Sequence, residues 1–597
     1  MCCSLKYLII LAPLMSMTPW LKAQSFEPDI GFGIVSELRD TNGVSVADYD
    51  QDGDMDIFLV SIHKFQEGNS QTWSRLLRNN GQGGFEDVTE ESKILFENET
   101  LREGWMGDRM GASWGDYDND GFPDLFLSND GGDELWHNEG NGQFENVTKS
   151  SGTEGCLDCY SSNGLWWDYD LDGDLDLYVS DWLKTNRLHR NEGNGIFIDM
   201  SEFSGLDDEG KTWASIPIDV NKDAFPDLYV VNDFGESRLF INQGNGKFSD
   251  LTRYYQLENL GDGMGIDVCD YNSDGNFDIY VTNIYDHLPN PFFVGSEEGI
   301  FTNRASELGI ENTGWGWGAR FIDADNDLDE DLYVVNGMKV INGRGDQNVF
   351  FKNEDGIFNN ISQSLGMNSI SIGRGLEVFD CDNDGDMDVL VGNREVNLVL
   401  YKNNIIQTDV QNKNWIQIEL EGTESNKNAL GSIVEINLQG KRYYRHYSGA
   451  NLFGQSIKPI HYGLAHHDFI DEISVTWPSG KKEYFPSVLA NQVVKLIEGD
   501  TKLYSSNLAL DINEASKLIN IYPNPFENQI TFSFSKNISS PLNFSLMNTL
   551  GQVVYHKIFQ KGFSAPLDVS TANLSSGLYY YQLKRGKDTI TGKLLKK

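Results

Sequence analysis

One nine-residue phrase returns seven times and limits what this chain can fold into. It reads Asp48-Tyr49-Asp50-Gln51-Asp52-Gly53-Asp54-Met55-Asp56 in its first copy, and later copies begin at Asp116, Asp168, Asp219, Asp270, Asp323 and Asp380. The starts are 68, 52, 51, 51, 53 and 57 residues apart. A repeat of this length is a supersecondary unit that must stack on its neighbours to bury a core.

Carboxylates at positions 1, 3, 5 and 9 gather hard oxygen donors around one point. A hard cation is what holds such a group together at neutral pH, and Ca²⁺ suits a flexible shell of six to eight oxygens. The candidate ligands are Asp48, Asp50, Asp52, Asp54 and Asp56 in the first copy, and Asp116, Asp118, Asp120 and Asp124 in the second. The third offers Asp168, Asp170, Asp172, Asp174 and Asp176, and the fourth Asp219, Asn221, Asp223 and Asp227. The fifth offers Asp270, Asn272, Asp274, Asn276 and Asp278, and the sixth Asp323, Asp325, Asp327, Asp329 and Asp331. The seventh offers Asp380, Asp382, Asp384, Asp386 and Asp388. Up to seven structural Ca²⁺ ions are expected.

These loops are not EF-hands, which need a bidentate Glu at position 12 and a following helix. Position 12 is Leu59, Leu127, Val179, Val230, Val281, Val334 or Val391, and each sits in an apolar, β-branched run that reads as a buried strand. Position 9 must then close the shell, helped by the position 7 carbonyl. Gly at position 6 admits the positive φ of a tight loop.

Two further phrases keep step with the first. Asn-x-Gly-x-Gly-x-Phe or a variant ends at Phe85, Phe144, Phe197, Phe248, Phe301 and Phe358, and reads as a hairpin whose Asn and Gly supply φ > 0. A Gly- and Trp-rich phrase, such as GASWGDY, precedes many of the acidic loops. Each unit thus gives roughly four short strands, the signature of a propeller blade. The expected architecture is all-β: a seven-bladed β-propeller over residues 25–405, followed by two small β-sandwich domains. The long first spacing places insertions within Ser61–Arg75 and Glu91–Trp105. The strand near Phe26 is expected to complete the last blade and remove an open edge.

The loop, the LYVxN-type strand and the NxGxGxF hairpin together resemble FG-GAP/VCBS-type repeats, the propellers of the integrin α-subunit class. The resemblance implies Ca²⁺ in the loops, stiffening the ring. Two copies depart from the pattern. The fourth has Asn221 and Ala224, and the sixth has Leu328 where Gly is usual. A side chain at positive φ costs on the order of 1 kcal/mol, and the fourth site is expected to be the weaker.

Residues 1–23 read as a secretory signal, with Lys6 before an apolar run too short to span a bilayer. Later segments lack eighteen consecutive apolar residues, so a transmembrane segment is not expected. The formal net charge of −44 argues against nucleic acid and anionic membrane surfaces as partners. In an exported chain Cys156 and Cys159 are expected to form a local disulfide, and Cys269 and Cys381 to be small buried side chains.

Over residues 410–500 the pattern changes to alternating strands, again a small sandwich. LGSIVEI, HYGLA and ISVTWPSGKKE resemble the ASPIC/UnbV domain, also found in cartilage acidic proteins. Four histidines fall here: His446, His461, His466 and His467. No acidic partner stands at a ligand spacing, and adjacent His466 and His467 are expected to point opposite ways. Residues 519–597, with Pro523-Asn524-Pro525, Leu550-Gly551, Gly577, Tyr579 and Lys593, resemble the type A C-terminal sorting domain of the type IX secretion system of Bacteroidetes. That implies handling by the type IX machinery, removal of this domain, and a product released or held at the outer-membrane surface.

No GxSxG, HExxH or Walker motif is present, so no catalytic residues are assigned. Arg344-Gly345-Asp346 is expected to be a turn. Trp73, Trp105, Trp182 and Tyr285 fall outside the repeated phrases and are the candidates for an exposed binding face. The expected role is a monomeric, secreted, calcium-binding module that adheres to an extracellular polysaccharide or protein. The alternative is an exported polysaccharide-active enzyme with its site in the propeller channel.

Overall fold

A computed structural model describes residues 26–28, 40–61, 74–94, 109–284, 288–337, 345–405 and 413–505, and strands between 519 and 597. The signal segment, Trp73, Trp105, Tyr285, Arg344, Pro523-Asn524-Pro525, Leu550-Gly551 and most of both expected insertions lie outside them.

Among the described residues the repeat region forms seven antiparallel sets of four strands, one to a unit and in chain order; six of these sheets have four strands, and the second unit's is widened to six by residues 450–455. The Gly- and Trp-rich phrases supply the first strand of each: Thr41–Ala47, Arg109–Gly115, Ser161–Trp167, Lys211–Ile218, Gly263–Cys269, Gly316–Ile322 and Ile372–Phe379. The acidic loop links each first strand to a second, such as Asp56–Ser61, whose side chains are buried throughout. Burial on both faces explains why these runs are continuously apolar rather than alternating.

The seventh sheet takes its outer strand from the other end of the region. Glu27 pairs with Lys402 and Pro28 with Tyr401. Phe26 is buried, its ring 6.0 Å from that of Phe350. Val44, Val46 and Leu77 of the first unit pack with Phe379, Leu390 and Leu400 of the seventh. The first unit's Tyr49 and Phe58 pack with Trp114 and Leu125 of the second. The circle is closed through its core.

Six units follow their fourth strand with a one-turn helix, such as Thr148–Ser151 and Ser362–Leu365. The sequence reading missed these. In five of them the signal is a Thr or Ser whose hydroxyl accepts from the third strand, as Thr148 Oγ1 takes the Leu135 N–H at 2.8 Å. In the fifth unit, where the helix starts at Ala305, Asn303 Oδ1 takes the Phe292 N–H instead.

Residues 414–505 build two four-stranded sheets facing each other over Ile416, Ile418, Val434, Ile436, Ile473, Val475 and Trp477. One sheet contains a parallel pair, Asn414–Glu421 with Gln492–Ile497. The C-terminal strands form a three-stranded and a four-stranded sheet. Cys156 and Cys159 are disulfide-bonded, and Cys269 and Cys381 are buried thiols. Among the described residues no helix is long and apolar enough to cross a membrane.

Candidate metal centres

The seven acidic loops share one backbone plan. The position 1 carboxylate folds back over its own loop. Asp48 accepts the N–H of Asp52 at 3.0 Å and of Gly53 at 2.9 Å. Asp116, Asp168, Asp219, Asp270, Asp323 and Asp380 do the same at their equivalent positions. Position 6 has positive φ in every copy, including +74° at Ala224 and +84° at Leu328. Position 4 does too, although it is never Gly: Gln51, Asn119, Leu171, Lys222, Ser273, Asn326 and Asn383 lie between +55° and +61°. Sequence reading missed that second turn.

The position 9 carboxylate anchors the loop to the sheet. Asp56 is fully buried, taking the Tyr49 N–H at one oxygen and the Asn79 N–H at the other. Oxygens of positions 1, 3 and 9 lie within 4.8 Å of one another in Asp48/Asp50/Asp56, Asp116/Asp118/Asp124 and Asp168/Asp170/Asp176. Oδ1 of Asp50 and Oδ1 of Asp170 are buried without a hydrogen-bond partner. Converging carboxylates with orphaned oxygens are the donor set a hard divalent cation takes, so these residues fit one.

The electrostatics agree. Burial, reinforced by neighbouring loop carboxylates, pushes Asp48, Asp168 and Asp380 up to about 7, and Asp116 to about 8. Burial raises Asp56 to about 9 and sends Asp176, Asp278 and Asp388 well above the usual carboxylate range. The sixth loop differs. Against the effect of burial, Lys413 and Lys352 hold Asp325 low, and Lys352 Nζ stands 2.7 Å from it.

Four of the position 7 side chains make other bonds, in three cases with a neighbouring unit. Asp54 accepts from Asn383 Nδ2 at 2.6 Å, Asp174 from Asn119 at 2.8 Å, and Asn276 from Lys222 at 2.8 Å. Asp329 accepts the Asp355 N–H. The hairpin asparagines are staples as well. Asn138 Nδ2 donates to Tyr49 O in the preceding unit and to Pro123 O in its own. Asn79, Asn191, Asn242, Asn353 and Asn403 repeat this. Positive φ in that phrase falls on the glycines, Gly140 and Gly142 among them, and on Asp355 in the sixth unit, but not on the Asn as the sequence suggested.

The second domain sits on this loop face. Gln417 Nε2 donates to Asp380 at 2.8 Å, the Gly463 N–H to Asp323 at 3.1 Å, and the Asp116 N–H to Asn428 at 2.7 Å. From it a hairpin, Ala450–Asn451 and Gly454–Gln455, runs into the middle of the ring and pairs in parallel with Ala112 and Ser113. Arg320, Glu377 and Asn451 lock it: Arg320 donates to Ala450 O at 2.8 Å and pairs with Glu377 at 3.0 Å, and Asn451 donates to Glu377 at 2.7 Å. Ser456 and Lys458 add further bonds to Glu377. Burial alone would raise Glu377, but Arg320 and Lys458 hold it down to about 2.

His446 and His461 line a small cavity where the domain meets the ring, with Arg320, Glu330, Arg445 and Lys458. Burial lowers both, to about 4 and about 3. His466 and His467 do not point apart: their rings stack at 4.3 Å, because the chain turns there instead of staying extended.

At the opposite mouth Phe453 meets Trp213 at 5.6 Å and Trp317 at 6.0 Å. Trp182 and Tyr160 extend the cluster outward, and Asp233 accepts from the indoles of Trp182 and Trp213. Lys211 lies over Trp182 and Arg374 over Trp317, each at 3.7 Å. Leu183, Phe234 and Leu260 are exposed. Asp346 of the RGD triplet accepts the Trp315 N–H at 2.9 Å, a long-range contact between two loops.

Comparison with known proteins places these features. The FG-GAP-like repeat model matches residues 48–127, 116–163, 168–230 and 219–281, so the sixth and seventh units lie beyond it. The ASPIC and UnbV model matches 422–503, and the secretion system C-terminal sorting domain model matches 520–597. Cartilage acidic protein 1 of Xenopus tropicalis is 24% identical over 275 residues, 43% of this chain and 40% of that protein, so the chain spans well under half of that relative. An Agrocybe aegerita lectin structure, described as recognising non-reducing terminal N-acetylglucosamine, superposes with a TM-score of 0.35 at 17% identity, over 54% of this chain and 79% of that one. BBS1N in complex with ARL6DN gives 0.36 at 9% identity, over 62% and 94%. The sorting domain assigns the chain to type IX secretion, to the cell surface or extracellular space of Bacteroidetes. In chain order, this protein carries FG-GAP-like repeats forming a β-propeller, an ASPIC/UnbV domain and a secretion-system C-terminal sorting domain.

Proposed function

We propose that this exported propeller is a Ca²⁺-stiffened binding protein whose ligand face is the mouth opposite the acidic loops. The observation that carries the reading is the hairpin at 450–455. It fills the bore from the loop side and leaves the packed Tyr160, Trp182, Trp213 and Trp317 cluster at the mouth on the other side. Indole and phenol rings edged by Asp233, Lys211 and Arg374 offer stacking planes and polar contacts together, which suits a polysaccharide. The bound cation would neutralise the carboxylates of positions 1, 3 and 9 and fix the floor on which the second domain rests.

The filled bore does not favour the alternative of a catalytic site along the channel. The test is a panel of soluble polysaccharides offered to the secreted protein in calcium. Retention that Trp182→Ala abolishes without lowering the melting temperature supports the reading. Release of new reducing ends would replace it with the enzymatic one, and retention insensitive to Trp182→Ala would move the ligand face elsewhere.

A further inference from the structure

Where the residue just before the staple asparagine is cationic, its charge lies toward the acidic loop of its own unit. In the sixth unit Lys352 Nζ stands 2.7 Å from the position 3 carboxylate of Asp325, and in the seventh Lys402 Nζ stands 3.4 Å from that of Asp382. In the first and third units the residues are Arg78 and Arg190, whose charges act on Asp50 and Asp170 while each guanidinium also binds a glutamate, Glu86 or Glu192. The fourth and fifth units break the pattern on both sides at once. There the equivalent third-strand residue is apolar, Ile241 before Asn242 or Val294 before Gly295, and position 3 is an amide, Asn221 or Asn272. Each amide donates to the position 5 carboxylate at 2.9 Å, to Asp223 or Asp274. In the second unit His137 Nδ1 stands 3.1 Å from the position 9 carboxylate of Asp124 and 3.4 Å from the position 3 carboxylate of Asp118.

We propose that these side chains are tethered counterions, and that the matched pair, not the position 3 carboxylate by itself, sets how tightly each loop holds a divalent cation. A fixed positive charge near the ring occupies part of the attraction a free cation would otherwise receive. It also spares the cation-free loop from unscreened like-charge repulsion, since a like charge beside a carboxylate disfavours its ionised form. A neutral amide needs no such partner, which is why the apolar residues occur only where Asn does.

The inference rests on the proposed cation binding for its affinity half and on the pairing alone for its stability half. The experiment is a double-mutant cycle on the full secreted chain, using Lys402→Met, Asp382→Asn and both together, with Arg190→Met and Asp170→Asn as a second cycle. Melting is followed in EDTA and across a calcium titration. In EDTA the Lys402→Met single variant is expected to melt lower than wild type, and the double variant to recover most of the loss. In the calcium titration Lys402→Met is expected to tighten the response at that loop on the order of tenfold. Asn221→Asp, which adds an unmatched carboxylate, is expected to enlarge the calcium-induced rise in melting temperature. A double variant no better than the single in EDTA, in both cycles, overturns the pairing. An unchanged or weaker calcium response in the single variants overturns the affinity claim. A wild-type chain with no calcium response at all defeats the cation reading instead, and the EDTA cycle still decides the pairing.

Discussion

Gln455 treats Trp166 as a neighbouring strand would. Its Oε1 accepts the Trp166 N–H at 2.6 Å and its Nε2 donates to the Trp166 carbonyl at 2.9 Å. A side-chain amide from the second domain thus satisfies both backbone groups of a buried inner-strand residue. Gln455→Ala leaves those groups unpaired away from water, and roughly 2–4 kcal/mol of stability should be lost. Chemical denaturation of the variant against wild type checks this.

Phe453 is the apolar tip of the same hairpin, fully enclosed between Trp213 and Trp317. Phe453→Ala should cost about 3–5 kcal/mol, through lost transfer energy and the cavity left behind. Hydrogen exchange should show faster exchange at residues 449–457 in the variant while the outer strands keep their protection.

Glu377 carries the hairpin's charge balance, and the pH dependence follows from its carboxyl lying near 2 against an ordinary 4.5. Between these values the folded state binds fewer protons than the unfolded one. The stability Glu377 contributes is therefore complete above about pH 4.5 and is lost as pH falls toward 2. Glu377→Gln should remove that acid sensitivity. It should also cost roughly 3–5 kcal/mol at neutral pH, because Arg320 and Lys458 stay buried without their counter-charge.

The loop carboxylates give the opposite sign. Asp48, Asp116, Asp168 and Asp380 have folded values of about 7 to 8 against an ordinary 3.8, without a cation. Between those values the cation-free folded state binds more protons than the unfolded chain, so stability is greatest below about pH 4 from these groups and falls as pH rises through 8. Melting curves in EDTA should therefore drop steadily between pH 5 and pH 8, and calcium should flatten the profile.

Asn138 illustrates what the sequence showed and what it hid. The NxGxGxF phrase announced a hairpin, and a hairpin is there, because Gly140 and Gly142 at positive φ are local requirements. That Asn138 reaches across to the Tyr49 carbonyl is a long-range fact with no local signature. Likewise the carboxylates of positions 1, 3 and 9 could be grouped from their spacing. The seating of Gln417 on Asp380 and the threading of residues 450–455 through the ring could not, since both join segments that no period links. The bonds that Asp54 and Asp174 accept from Asn383 and Asn119 of the neighbouring units had no signal either, since position 7 repeats in phase with the other loop carboxylates. Asn138→Ala should cost about 1–3 kcal/mol, from two buried carbonyls losing their donor. Urea denaturation of this variant checks the staple's worth.

The central claim is that divalent cations hold the acidic loops and, through them, the platform under the second domain. Scanning calorimetry of the full secreted chain, stripped with EDTA and then returned to millimolar calcium, tests it most directly. A rise of many degrees in melting temperature that follows calcium concentration is the expected result, as for ions bound by the folded state alone. Superimposable transitions with and without calcium would contradict it.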